Sequence, residues 1–160
     1  MRVLCCLDGT NVEPISRATA LLSHTGLTVG VIYVIDKGPH HEIEHTRERF
    51  FRPPAPPPER ERQMLEVEHA SAQEIIDEGL RSLSAAEALK REGRPEREIV
   101  NAAAEWPADL VLICPRAQYR DKHKIGPKSV GHVARFVLDH SPCPVLLVRP
   151  INRDQFPIGR

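Results

Sequence analysis

His41-Glu42-Ile43-Glu44-His45 fits H-E-x-x-H, the pattern in which two histidines on one helical face ligate zinc and the glutamate activates a water. Taken alone, it names a metal-dependent hydrolase. Its surroundings argue otherwise. Gly38-Pro39 precedes it, and in the segment that follows five of the six residues from Pro53 to Pro58 are proline, so the long packed helix such a site needs has no room to form. No third-ligand pattern comes after it. His41 and His45, with His40 beside them, are therefore candidates for adventitious zinc or nickel binding, and no metal cofactor is expected.

A second chemistry-bearing stretch is ICPRAQYRDKHKIGPKSVGH, residues 113–132, which lies between a strand-like run and a helix-like run. In a parallel α/β protein this is the place for a phosphate loop, where backbone N–H groups converge on an anion, helped by the next helix's N-terminus. Pro115 and Pro127 have no N–H to give. If both missing donors faced phosphate, binding would weaken by roughly two to four powers of ten. Against that loss stand Arg116, Arg120, Lys122, Lys124 and Lys128, with one Asp121, and a helix following Ser129. Arginine grips phosphate bidentately, so side-chain capture of an anion is open, as is the reading of a solvated basic surface. No nucleophile-elbow or Ser/His/Asp grammar surrounds Ser16, Ser129 or Ser141, so no catalytic residue is assigned.

The elements that must position these residues follow from hydrophobic patterning. Arg2 to Leu7 is a short apolar strand ended by Asp8-Gly9-Thr10. A helix from about Pro14 carries Ile15, Ala18, Leu21 and Leu22 on one face, and Leu27 to Ile35 is a second strand ended by Asp36. After this βαβ unit, residues 37–60 break the rhythm with a His- and Pro-rich insertion. The proline run favours a stiff polyproline segment that can dock on an aromatic groove. A long helix from about Glu59 to Leu83 places Leu65, Ala72, Ile76, Leu80 and Leu83 on a buried stripe. A weak strand over 86–92 precedes a helix opened by Pro95 with Ile99, Ala103 and Trp106 inward. A strand within 108–114, a helix over about 130–140 and a last strand over 145–148 complete the pattern, and 151–160 reads as a tail. Five strands alternating with four helices predict a doubly wound parallel sheet whose ligands bind beyond the strands' carboxyl ends.

The 160 residues fit one domain, 1–150, with 41% hydrophobic and 28% charged residues. Lys plus Arg total 22 and so do Asp plus Glu, so no global field points to nucleic acid or membrane. The five apolar residues after Arg2 are too few for a signal-peptide core, which predicts a cytoplasmic protein. Cys5, Cys6, Cys114 and Cys143 show no CxxC or zinc spacing and read as buried, reduced thiols.

VLCCLDGT before a helix, LTVGVIYVID, REGRPEREIVNAAAEWPADLVLI and HSPCPVLLVRP resemble the universal stress protein family over residues 2–150. The resemblance implies an adenine nucleotide alpha hydrolase-like fold: a five-stranded parallel sheet of order 3-2-1-4-5 with helices on both faces. It also implies a homodimer joined through the last strand, where Val145, Leu146, Leu147 and Val148 would otherwise form an apolar edge. Many members bind ATP or AMP through G-x2-G-x9-G-(S/T), with an Asp after the first strand near the ribose and a backbone group after the second near adenine. Asp8, with Gly9 and Thr10, and Val34 match the last two positions. Cys114 and Ala117 stand where the first two glycines belong, Gly131 follows after 13 intervening residues rather than nine, and His132 replaces the Ser or Thr. The expectation is thus a dimeric binding or regulatory domain that lacks conventional ATP binding and is not an enzyme. The alternative is an ATP- or AMP-binding member, at most a weak ATP hydrolase, that uses Arg116, Lys128, Ser129 and the helix end in place of glycine amides. Either form leaves room for a protein partner at the basic loop or the proline run.

Overall fold

Residues 2–6 carry no polar residue after Arg2, and a strand of this kind is stable only when both faces are covered. The computed structural model describes residues 1–22, 26–37, 58–85, 87–115 and 129–149. Within them the chain runs β1 (Arg2–Cys6), α1 (Val12–Leu21), β2 (Thr28–Asp36), α2 (Pro58–Leu83), β3 (Glu87–Gly93), α3 (Pro95–Glu105), β4 (Leu110–Ile113), α4 (His132–His140) and β5 (Val145–Leu147). The sheet is parallel throughout and its order is β3-β2-β1-β4-β5, as expected.

Alternation along β1 divides the core in two. Val3, Cys5 and Leu7 meet Val12, Ile15 and Ala18 of α1 and Ile76 and Leu83 of α2. Leu4 and Cys6 turn to the other face and meet Ile99, Ala102 and Ala103 of α3 and Ala134 and Val137 of α4. The adjacent Cys5 and Cys6 therefore lie on opposite faces. Burial pushes the Cys5 thiol up to about 11 against a lowering hydrogen bond from Thr19, and burial raises Cys6 well above the ordinary thiol range. Both are neutral packing groups at physiological pH. Cys114 is buried as expected, whereas Cys143 is only half-buried.

Two helix starts show why the elements begin where they do. Pro95 occupies the first turn of α3, where its missing N–H costs nothing, and Glu96 and Glu98 sit against the positive end of the helix. α1 begins at Val12, two residues before the Pro14 start anticipated from sequence, because Asn11 rather than the proline marks the turn. At the other face, Gly30 of β2 lies beneath the Trp106 ring, and a Cβ there would stand 2.8 Å from Trp106 Cζ2. Trp106 is itself fixed, donating from Nε1 to Glu87 Oε2 at 2.7 Å and lying under the Arg2 guanidinium at 4.1 Å.

Two buried-face assignments need correction: Leu21, the last residue of α1, is 85% exposed, and Leu65 of α2 also fails. Ala72, Ile76 and Leu83 are buried, but Leu65 is 40% exposed. Leu65 lies on the same stripe, yet α2 runs past the body of the sheet before that stripe meets it, and its neighbours Met64 and Val67 are exposed too. The two sheet edges also differ. β3 is covered with charge: Lys37 donates to Glu92, and His69 Nε2 lies 3.3 Å from the other Glu92 oxygen. The hydrogen bond from Lys37 is the main cause holding the Glu92 carboxyl below its usual range. β5 has the apolar sequence Val-Leu-Leu, with Leu146 39% exposed. Val148 is not part of an exposed ribbon as anticipated. It is buried, and its N–H donates to Ile113 at 2.8 Å.

Candidate functional site

β1 and β2 part company just past Leu7, whose N–H makes the last rung to Ile32 at 2.9 Å. Backbone groups of a strand alternate sides, so the N–H and C=O of Val34 face the same side as those of Ile32, where β1 has already ended. The edge opened there is a donor and an acceptor two residues from the end of β2.

The chain leaving β1 is held in a defined turn by Asn11, a fully buried side chain. Asn11 Nδ2 donates to Cys6 O at 2.8 Å, and its Oδ1 accepts from Asp8 N at 3.0 Å. Asp8 Oδ1 in turn accepts from Thr10 N at 2.8 Å and Thr10 Oγ1 at 3.0 Å. Gly9 supplies the positive φ of +84° that the turn requires. Asp8 is thus an exposed carboxylate on a rigid mount, with one oxygen committed to Thr10.

Across the sheet, β4 ends in Cys114 and Pro115. The chain returns at Ser129, whose buried hydroxyl accepts from Arg149 Nη1 at 3.2 Å. Gly131 caps α4 with φ 80° and ψ 165°, a region closed to residues with a Cβ, so this glycine is required by the entry into the helix. His132 follows as the first residue of α4.

These pieces surround a crevice of about 440 Å³ at the carboxyl ends of the strands, within the range of roughly 300–1,000 Å³ usual for small-ligand sites. Asp8, Val34, Cys114, Gly131 and His132, all singled out from sequence, line it. Gly9 and Thr10 shape the Asp8 turn, and Ser129 anchors the loop's return through Arg149. Arg116, Ala117 and Lys128 lie outside the described residues, as do His41, His45 and the proline run. Among the described residues no group of three or more His, Cys, Asp or Glu side chains could hold a metal ion, and no helix is long and apolar enough to cross a membrane.

Sequence reasoning missed four residues here: Asn11, Tyr33, Asp36 and Glu96, all of which line the crevice. Asn11 carried a signal, since Asn directly before a helix is a capping residue, although it bonds backwards into β1 rather than forwards into α1. Tyr33 is held above the usual phenol range by burial first and then by the nearby Asp8 and Glu68 carboxylates, which keeps it a neutral hydrogen-bond donor. Glu96 is buried in the first turn of α3, and its Oε1 lies 3.7 Å from His132 Nε2. Asp8, Asp36 and Glu96 make the described lining acidic, and no lysine or arginine stands among the described lining residues.

The model of the universal stress protein family matches residues 1–149. Solved structures share the fold at low identity. The universal stress protein UspA from Lactobacillus plantarum is 18% identical, with 93% of this chain and 97% of that chain covered and a TM-score of 0.65. A universal stress protein family protein from Arabidopsis thaliana with AMP bound is 15% identical, with 99% and 96% covered and a TM-score of 0.55. The universal stress protein from Archaeoglobus fulgidus in complex with dAMP is 17% identical, with 93% and 98% covered and a TM-score of 0.53. No curated protein matches the sequence significantly.

Proposed function

The chain belongs to the universal stress protein family, and from that premise we propose that it is a binding module whose crevice takes an adenine nucleoside, without the loop that holds a triphosphate in the conventional way. The observation that carries this reading is the opening between β1 and β2. There Val34 offers a backbone donor and acceptor side by side, the pairing an adenine edge can use, and Asp8 stands across the gap with a carboxylate suited to ribose hydroxyls. AMP in the Arabidopsis protein and dAMP in the Archaeoglobus protein are consistent with such a ligand class. The phosphate side is altered. Cys114 stands at the first glycine position of the family loop, and Pro115 beside it has no N–H to donate. Calorimetric titration tests the reading: adenosine gives saturable heat, and ATP binds no more tightly than adenosine.

The same reading includes self-association through β5, motivated by the contrast between the charged β3 edge and the apolar β5 edge with Leu146 exposed. A second copy pairing along β5 would cover that edge. Light scattering of the wild type is expected to give twice the chain mass, and Leu146→Arg to give the chain mass itself. A dimer mass unchanged in the variant would remove β5 from the interface.

A further inference from the structure

The N-terminal half of α2 carries apolar surface that its own domain does not cover. Met64 is 52% exposed and Val67 68%. Both belong to a stripe separate from the buried one of Ala72, Ile76 and Leu83. Arg60, Met64, Val67, Ser71 and Glu74 follow one another at alternating spacings of four and three, and all five are exposed. This is the spacing by which one helix seats along another. The middle of the stripe is apolar or small, with Ala70 and Ser71 beside it, and its two ends carry opposite charge.

The arrangement of charge names the occupant. Arg60 and Glu74 each stand seven residues from Val67, one on either side. A second copy of α2 laid antiparallel about an axis through Val67 sets Val67 against Val67, Met64 against the small Ala70 and Ser71, and Arg60 against Glu74 at both ends. A parallel pair would instead set Arg60 beside Arg60 and Glu74 beside Glu74, which is repulsive. Among the described residues neither Arg60 nor Glu74 makes an ion pair within its own chain. Glu68, the nearest acidic residue on the flank, is half-buried and lies toward Tyr33, away from the axis.

We propose that the exposed face of α2 from Arg60 to Glu74 is a self-complementary docking surface for the α2 of a second copy, in antiparallel orientation. Three or four side chains per copy fall short of the roughly 800 Å² per partner that a stable interface buries, so the contact forms at high protein concentration and not in dilute solution. It is independent of the crevice and of β5. α2 lies over β2 and β3, whereas β5 is the opposite edge of the sheet, so copies can meet through α2 with β5 paired or unpaired.

Disulfide trapping in the full chain tests this, in a Cys143→Ser background that leaves only the buried native thiols. Val67→Cys places an exposed thiol on the axis, where it meets its counterpart, and mild oxidation is expected to give a covalent dimer. Gln73→Cys, exposed on another side of the helix, should give about tenfold less. Adding Arg60→Glu or Glu74→Arg to Val67→Cys puts like charges opposite one another and should lower the trapped fraction by about fivefold. The two charge changes together restore attraction and should return it to the starting level. Equal trapping at residues 67 and 73, or a double charge swap no better than the single ones, would overturn the proposal. Sedimentation supplies an arm without cysteines: the average mass of the wild type should climb with concentration toward double its dilute value, and that of Val67→Glu should not. The dilute value itself reports on β5, so failure of the β5 reading lowers the starting mass and leaves the climb in place. A climb that survives Val67→Glu would also overturn the proposal.

Discussion

Gly30→Val is expected to destabilise the fold by about 3 kcal/mol, since overpacking a closed core costs about 1–3 kcal/mol and more where nothing can yield. A Cβ at this position already stands 2.8 Å from Trp106 Cζ2 and 3.0 Å from Cη2, and valine adds two methyl groups beyond it. The ring has little freedom to retreat. Trp106 is bonded through Nε1 to Glu87, and Arg2 both covers its face and donates from Nε to its carbonyl at 2.9 Å. β2 is equally fixed, held between β1 and β3. For a chain of this length the loss corresponds to a melting temperature lower by about 6–12 °C, measurable by thermal or denaturant unfolding. Gly30→Ala should show a smaller loss of the same sign. A melting temperature unchanged in the valine variant would mean that the Trp106 ring repacks freely, contrary to its bonding.

Asp8→Ala is expected to weaken adenosine binding by roughly tenfold to a hundredfold, the range for losing about 1.5–3 kcal/mol of hydrogen bonding to a charged group. The fold should survive. Asp8 is exposed, and the turn that carries it is held chiefly by Asn11, which bonds to Cys6 O and to the Asp8 backbone rather than to its carboxylate. The variant loses the two bonds from Thr10 to Asp8 Oδ1, a change of about 1 kcal/mol at a solvent-exposed site. Binding and stability should therefore separate: a large loss of affinity with a nearly unchanged melting temperature. Retained affinity would show that Asp8 does not face the ligand.

The order in which these features could be read from the sequence has a physical basis. Arg-Val-Leu-Cys-Cys-Leu is legible as a doubly covered strand because no solvent-facing polar residue interrupts it, and Ile99, Ala103 and Trp106 are legible as a helix face by spacing alone. Periodicity states which face of a helix is apolar but not where the body it packs on ends, so Leu65 was assigned to the core while α2 carries it beyond the sheet. Val148 failed in the opposite sense. A four-residue apolar run gives no sign that its last residue leaves the edge strand and turns into the core cluster around Val3 and Val12.

At the site, Asp8, Val34 and Gly131 were legible because each sits at an element end that the family pattern marks. The positive φ of Gly131 accounts for its place there. Glu96 was not. In sequence it is one of several charged residues in REGRPERE, and its burial depends on α4 packing beside α3, a juxtaposition between residues more than thirty positions apart. Asn11 was missed although Asn directly before a helix is a capping signal, and only the turn geometry shows that it serves Asp8.

The most direct measurement is calorimetric titration of the purified wild type with adenosine and with ATP, each with and without magnesium. A nucleoside crevice without a triphosphate cradle predicts saturable heat with adenosine and an ATP affinity that is no higher and does not improve with magnesium. ATP binding tighter than adenosine and strengthened by magnesium would contradict this, and would mean that the stretch from Cys114 to His132 holds phosphates by its own charge.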